Sequence, residues 1–198
     1  MPYRELFVPL VRSYVGCDMY PISEGVVACP ADELAFEDNR FDAIVCFQVL
    51  EHVPQPWRVL EECARVLKPG GFAIVTVPFL FPYHAAPRDY FRYTPDGIVA
   101  LAERVGLEVK QIEPQVSTLP TIVMILNIKF MEMFGYARRV TGLRYFVDAL
   151  QTIVFCVTNP VGLFFGLFAR NNSRILFPGY ANYLFVLDKP NNNIDGKI

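Results

Sequence analysis

The sequence predicts an α/β fold: a mainly parallel sheet, doubly wound with helices. Three observations carry that expectation. Short apolar runs alternate with segments of helical periodicity at βαβ spacing. Run 42–47 (DAIVCF) is apolar almost throughout, as a strand covered on both faces must be. Glycine and proline punctuate the boundaries where chain reversal is needed.

In chain order, residues 2–10 read as a short helix, with Pro2 in a first turn where a missing N–H costs nothing. Residues 14–18 (YVGCD), 25–29 (GVVAC) and 42–47 read as three strands. Residues 56–67 place Val59, Leu60, Cys63, Ala64, Val66 and Leu67 on one helical stripe. Acids near the start of that segment and bases near its end suit the helix dipole. Lys68-Pro69-Gly70-Gly71 is expected to stop the helix and turn the chain into a fourth strand, 72–77 (FAIVTV). Thr94 caps a helix that begins at Pro95 and closes near Gly106, and 107–112 (LEVKQI) is a fifth strand. Residues 180–187 (YANYLFVL) form a last strand before a polar tail expected to fray. The domain reading is a core over 1–115, an apolar helical insert over 116–178, a returning strand over 179–190 and a disordered tail over 191–198.

Composition excludes several classes. A net charge of -2 gives no electrostatic hold on nucleic acid. Five cysteines, none in a CxxC pair, read as reduced core thiols of a cytoplasmic protein, so no metal site is expected. The start, MPYRELF, is not a secretion signal. Segments 116–128 and 149–169 contain no Asp, Glu, Lys or Arg. They are read as a helical lid first, then as an insert touching the membrane surface through 116–170, then as a spanning hairpin.

Asp18 ends a strand, where ligands of open α/β sheets bind and where a carboxylate can take both hydroxyls of a ribose. The plainer reading is an acid closing a turn. The stretch LAFEDNRFDAIVCFQVLEHV, then ARVLKPGG, then an apolar strand resembles the type-11 methyltransferase domain family of the class I S-adenosylmethionine-dependent methyltransferases. The likeness covers about residues 2–113, with Leu34 to Val77 its specific part.

The resemblance implies a Rossmann-like sheet of strand order 3-2-1-4-5-7-6, with S-adenosyl-L-methionine as cofactor. By the same resemblance Asp18 holds the ribose, Met19 packs on adenine, Gln48 lines the methionine end, and Ala31 and Asp32 lie by the adenine. The family acid expected near them is replaced by Pro30. His52 reads as a packed, backbone-bonded histidine before it reads as a base.

The acceptor is expected in loop 78–94 (PFLFPYHAAPRDYFRYT). His84 and Asp89 are the candidate proton acceptors there, and Tyr83, Arg88, Tyr90, Arg92 and Tyr93 the candidate acceptor-binding residues. A salt-bridged surface loop, with Arg and Asp satisfying each other, is weighed equally. The function implied is methyl transfer to a small-molecule or lipid-linked acceptor. The glycine-rich cofactor turn and the first, central strand of the family are missing from the sequence, so a truncated reading frame is expected. A degenerate, non-catalytic binding module is the competing reading.

Overall fold

A computed structural model of the chain describes residues 3–21, 23–116, 118–140, 144–171 and 181–191. The polar tail and the segment 172–180 lie outside the described residues. The elements are α1 (Arg4–Phe7), β1 (Gly16–Asp18), β2 (Val26–Ala28), β3 (Phe41–Phe47), α2 (Pro56–Val66), β4 (Leu67–Pro78), α3 (Pro95–Arg104), β5 (Glu108–Gln115), α4 (Thr118–Val140), α5 (Arg144–Asn171) and β6 (Asn182–Asp188). Short 3-10 turns follow α1 and β3.

The strands form two sheets. β1 pairs with β2 in parallel, and a second sheet runs β3-β4-β6-β5, with β3 and β4 parallel. Against the order 3-2-1-4-5-7-6, the small sheet takes the place of strands 3 and 2, and the large sheet that of 4, 5, 7 and 6. Among the described residues no strand runs between β1 and β3. The consequence is visible in β3. Its sequence promises cover on both faces, yet only Cys46 is buried, and Asp42 and Ala43 are exposed. A strand covered by a neighbour on one edge alone leaves its other flank to solvent.

The chain divides into two compact units. The first comprises 1–77, 85–112 and 185–198, and the second 78–84 and 113–184. The core of the first is built by α2, whose Val59, Leu60, Cys63 and Val66 are buried, and by Ala73, Val75 and Val77 of β4. α3 adds Ile98 and Ala102. Its start follows the expected chemistry: Thr94 Oγ1 accepts the N–H of Gly97 at 3.1 Å. α2 has Arg65 in its last turn but no acid in its first, because Glu61 and Glu62 fall in mid-helix, so only the basic end follows the expected arrangement.

One boundary differs from expectation. Lys68 to Gly71 do not turn the chain; they belong to β4 as an irregularity. Phe41 pairs with Leu67, and Ala43 already pairs with Phe72, so four residues of β4 bulge out between them. Gly70 takes φ +79, and a Cβ on Gly71 would stand 2.9 Å from the carbonyl oxygen of Asp42. Gly70 N–H donates to Lys189 O, and Lys189 N–H to Gly71 O, which ties the bulge to the end of β6. Glycine is needed here for close approach and for a left-handed backbone, requirements that a turn shares.

In the second unit, α4 and α5 pack on each other. Phe79 N–H donates to Ala181 O, and Ala181 N–H to Val116 O. No helix among the described residues is long and apolar enough to cross a membrane.

Candidate functional site

A cleft of about 540 Å³ opens between β1 and β3. It is lined by Gly16, Cys17 and Asp18 on one side and by Ala43 to Phe47 with Gln48 on the other. Its volume lies in the range of small-molecule sites. Tyr3 meets Phe47 edge-on and Phe7 meets it at a tilt, with ring centroids 5.1 and 6.3 Å away, at the carboxyl end of β3. These aromatic residues were not among the sequence candidates; no spacing rule connects them to Phe47.

Of the expected cofactor residues, Asp18, Ala31 and Gln48 line the cleft. Asp18 Oδ1 accepts the N–H of Tyr20 at 2.7 Å, so the turn-closing reading is realised at one oxygen. Gln48 sits at φ 53, a left-handed position unusual for glutamine, just past the end of β3. Two bonds fix it: its N–H donates to Thr76 O at 3.0 Å, and Nε2 donates to Thr76 Oγ1 at 3.2 Å. Backbone strain of this kind persists only where the surroundings over-determine it. Met19 and Asp32 are not cleft-lining residues. The Met19 sulfur lies 3.7 Å from Arg88 Nη1.

The loop that borders the cleft at Ala31 and Leu34 is clamped to α2. Arg65 donates to the carbonyls of Leu34 and Phe36, at 2.9 and 2.7 Å, and to the Asp38 carboxylate. Glu62 takes two bonds from Arg65 and one from the Leu34 N–H. The Arg65 hydrogen bond, before any other influence, holds the Glu62 carboxyl below the usual carboxylate range. A depressed folded-state pKa stabilises above the unfolded value and loses that contribution as pH falls through the folded value. Unfolding free energy is therefore expected to decline as pH drops below about 4.3, the ordinary glutamate value. Denaturant titrations across pH check this, and Arg65→Met should flatten that decline.

Of the thiols that line the cleft, Cys46 and Cys63 are buried and Cys17 is exposed. Burial, then Cys29, pushes the Cys17 thiol up to about 12, and burial does the same to Cys63. Cys46 is raised for the same leading reason. All five cysteines are free. A protonated thiol is neither nucleophile nor metal ligand at neutral pH.

Loop 78–94 is divided between the units. Tyr83 and His84 belong to the second, where His84 Nδ1 donates to Pro82 O at 3.2 Å and its ring meets Phe81 edge-on at 5.0 Å. Residues 85–94 belong to the first. The Asp89 side chain is 0% exposed and holds Arg92 in a two-point pair at 2.6 and 2.7 Å. That pairing raises the Arg92 pKa further. The mutually satisfied Arg–Asp reading thus describes this pair. Tyr93 is buried, and its hydroxyl donates to Leu50 O at 2.8 Å. Arg88 and Tyr90 are bound through their backbones. Arg88 O accepts from His52 Nδ1 at 2.6 Å, and Tyr90 N–H donates to Glu51 O at 2.7 Å. A carbonyl can only accept, so His52 carries its neutral-state proton on Nδ1. That is the backbone-bonded histidine expected from sequence.

An acid at the carboxyl end of β1 with a cleft beside it is the arrangement in which open α/β sheets hold their ligands. A methyltransferase domain family matches residues 11–75. The ubiquinone biosynthesis O-methyltransferase of Bordetella avium is 34% identical over 99 residues, covering 41% of each chain. A S-adenosylmethionine-dependent methyltransferase of Archaeoglobus fulgidus superposes with TM-score 0.55 at 16% identity, over 93% of this chain and 80% of that one. The 1,6-didemethyltoxoflavin-N1-methyltransferase of Burkholderia thailandensis, solved with S-adenosylhomocysteine, gives TM-score 0.50 at 14% identity over 89% and 60%. Over residues 11–75 the chain thus matches a methyltransferase domain family, and in fold it is similar to S-adenosylmethionine-dependent methyltransferases. It spans about two fifths of the length of the Bordetella relative, 41%.

Proposed function

We propose that the protein is a S-adenosylmethionine-dependent methyltransferase acting on a hydroxyl of a small-molecule or lipid-linked acceptor. The observation that supports it most is the placement of Asp18, Ala31 and Gln48 around one cleft at the carboxyl ends of β1 and β3. Asp18 and Ala31 fit the adenosine side of the cofactor, and Gln48 its methionine end. Asp18 offers carboxylate oxygens to a ribose diol, and Ala31 and Leu34 offer an apolar wall to a flat base. Arg65 and Glu62 hold that wall. The cofactor supplies the activated methyl group; the protein orients the reactants and excludes water. The O-methyltransferase relatives favour a hydroxyl acceptor, whose proton must be taken as it is methylated.

Both Asp89 oxygens lie on Arg92, so Asp89 acts through Arg92 rather than as the proton acceptor. Of the candidates for that role His84 remains, and Arg88 and Tyr90 are the candidate acceptor contacts of the first unit. Tyr93 holds the loop down through Leu50.

Incubation with methyl-tritiated S-adenosylmethionine and separate pools of polar metabolites and extracted lipids tests the reading. Label in a product that resists mild base, as an ether does, is the expected result. Label in neither pool, or solely in carboxyl esters, contradicts it.

A further inference from the structure

β1 and β3 each end a sheet. β1 pairs with β2 and β3 with β4, so among the described residues each has one neighbour and one open edge. The cleft between them is lined by residues 13–18 and 43–49 without a gap. Successive side chains of a strand point to opposite faces, so a face would supply every second residue. An unbroken run is what an edge supplies, where every residue presents backbone. The cleft is therefore a slot between two rows of N–H and C=O groups that no sheet neighbour takes. Its flanks are undersupported. β1 and β2 make a sheet of two strands with three residues each, and such a pair is marginal in water by itself. Cys17 and Asp18 of β1 and Asp42 and Ala43 of β3 are exposed.

Few chemistries fill such a slot. A lipid surface or a small apolar ligand would cover both backbone rows without pairing them, and desolvated, unpaired N–H and C=O groups are costly. The rim of a folded sheet, from a second copy or another domain, has one free edge and satisfies one row. A single extended segment has donors and acceptors on both sides and satisfies both. The lining sets its composition. Asp18 alone of the lining residues is charged, and apart from Ser13, Ser23 and Gln48 the others are apolar, aromatic, glycine or cysteine. The polar segment 191–198 carries Asp195 and Lys197 and does not suit that wall. One residue of a strand covered on both faces takes about 160 Å³, from a rise of about 3.3 Å and spacings of about 4.8 and 10 Å. The slot, about 540 Å³, therefore accepts roughly three to four residues, close to the three of β1.

We propose that the slot between β1 and β3 binds one extended, apolar segment of a separate polypeptide as a strand hydrogen-bonded on both edges. The strand joins the two sheets into one, in the order β2-β1-segment-β3-β4. It runs along β1 and β3 and ends at Asp18 and Gln48, so the proposal does not rest on cofactor binding.

The test titrates the full chain with a blocked peptide whose short core of valine and isoleucine is flanked by lysines for solubility. Saturable one-to-one binding by calorimetry and a raised unfolding midpoint are expected. N-methylation of alternate core residues removes the donors of one edge. Methylating either alternate set should weaken binding roughly ten-fold or more, the order expected for two lost backbone hydrogen bonds. A glycine–serine core of equal length should not bind. Ala43 is exposed and lines the slot, so Ala43→Glu should weaken the peptide roughly ten-fold while the unfolding midpoint without peptide stays in place. Absence of binding by the folded chain overturns the proposal. Sensitivity to one methylated set alone also overturns it, because that describes addition to a single edge, and so does equal binding of the glycine–serine core. A dimer that forms without peptide and excludes it overturns the proposal in favour of a second copy. Titration with S-adenosylhomocysteine is run with and without peptide. Displacement of the peptide overturns the proposal, whereas a chain that binds peptide and no cofactor contradicts the cofactor reading alone.

Discussion

Replacing Arg92 with alanine is expected to destabilise the protein by about 3–5 kcal/mol, the usual cost of removing one partner from a buried ion pair. The reason is the burial of its partner. The Asp89 side chain is 0% exposed, and both its oxygens take bonds from Arg92. Without the guanidinium, that buried carboxylate loses the two-point pair that Arg92 gives it. A chain of this size should show a midpoint lowered by roughly 8–15 °C. Arg92→Lys keeps the charge but cannot form the planar two-point pair, so an intermediate loss is expected. The decisive comparison is Asp89→Leu combined with Arg92→Met, which removes both charges and should cost less than Arg92→Ala alone. Denaturant unfolding of the four proteins measures all of this. A single-variant loss under about 1 kcal/mol, the range of exposed pairs, would show that Asp89 is not held as described.

Phe185→Ala is expected to cost about 3–5 kcal/mol, the range for deleting a buried phenyl ring. In β6 the burial alternates strictly: Tyr183, Phe185 and Leu187 are buried, and the residues between them are not. Phe185 is fully buried, so its removal leaves a cavity in the first unit. Val186, half-buried on the other face, should cost under about 1.5 kcal/mol when cut to alanine, because little apolar surface is lost there. The pair of values tests the register of the strand directly. A slip by one residue would interchange the two costs.

Which face of β6 is the more buried was not readable, because both carry apolar residues, but the strand itself was, from the apolar run YANYLFVL. α3 was readable too, since cap, proline and glycine mark both ends with independent chemistry. Asp18 and Gln48 were found by resemblance, and the cleft that joins them follows from the division of the sheet. The bulge at Lys68 to Gly71 was not readable. A glycine pair serves a turn and a close approach equally well, and only the Asp42 carbonyl near Gly71 separates the two. The orientation of α4 and α5 was also hidden. Both faces of such helices are rich in apolar residues, so periodicity does not say which is covered. The Asn127–Thr158 contact decides that, and it joins residues far apart in the chain. Loop 78–94 was half readable. The residue types announced polar chemistry, but whether Asp89 faced an acceptor or Arg92 depended on burial that no spacing encodes.

The central claim is that the cleft between β1 and β3 takes the adenosine of S-adenosylmethionine through Asp18. Calorimetric titration of the 198-residue chain with S-adenosylhomocysteine, alongside Asp18→Ala, tests it most directly. The expected result is saturable one-to-one binding, weakened roughly ten- to hundred-fold by the substitution, as for loss of hydrogen bonds to a charged group. Binding of equal strength by the two proteins would contradict the claim, and so would the absence of binding by the intact chain.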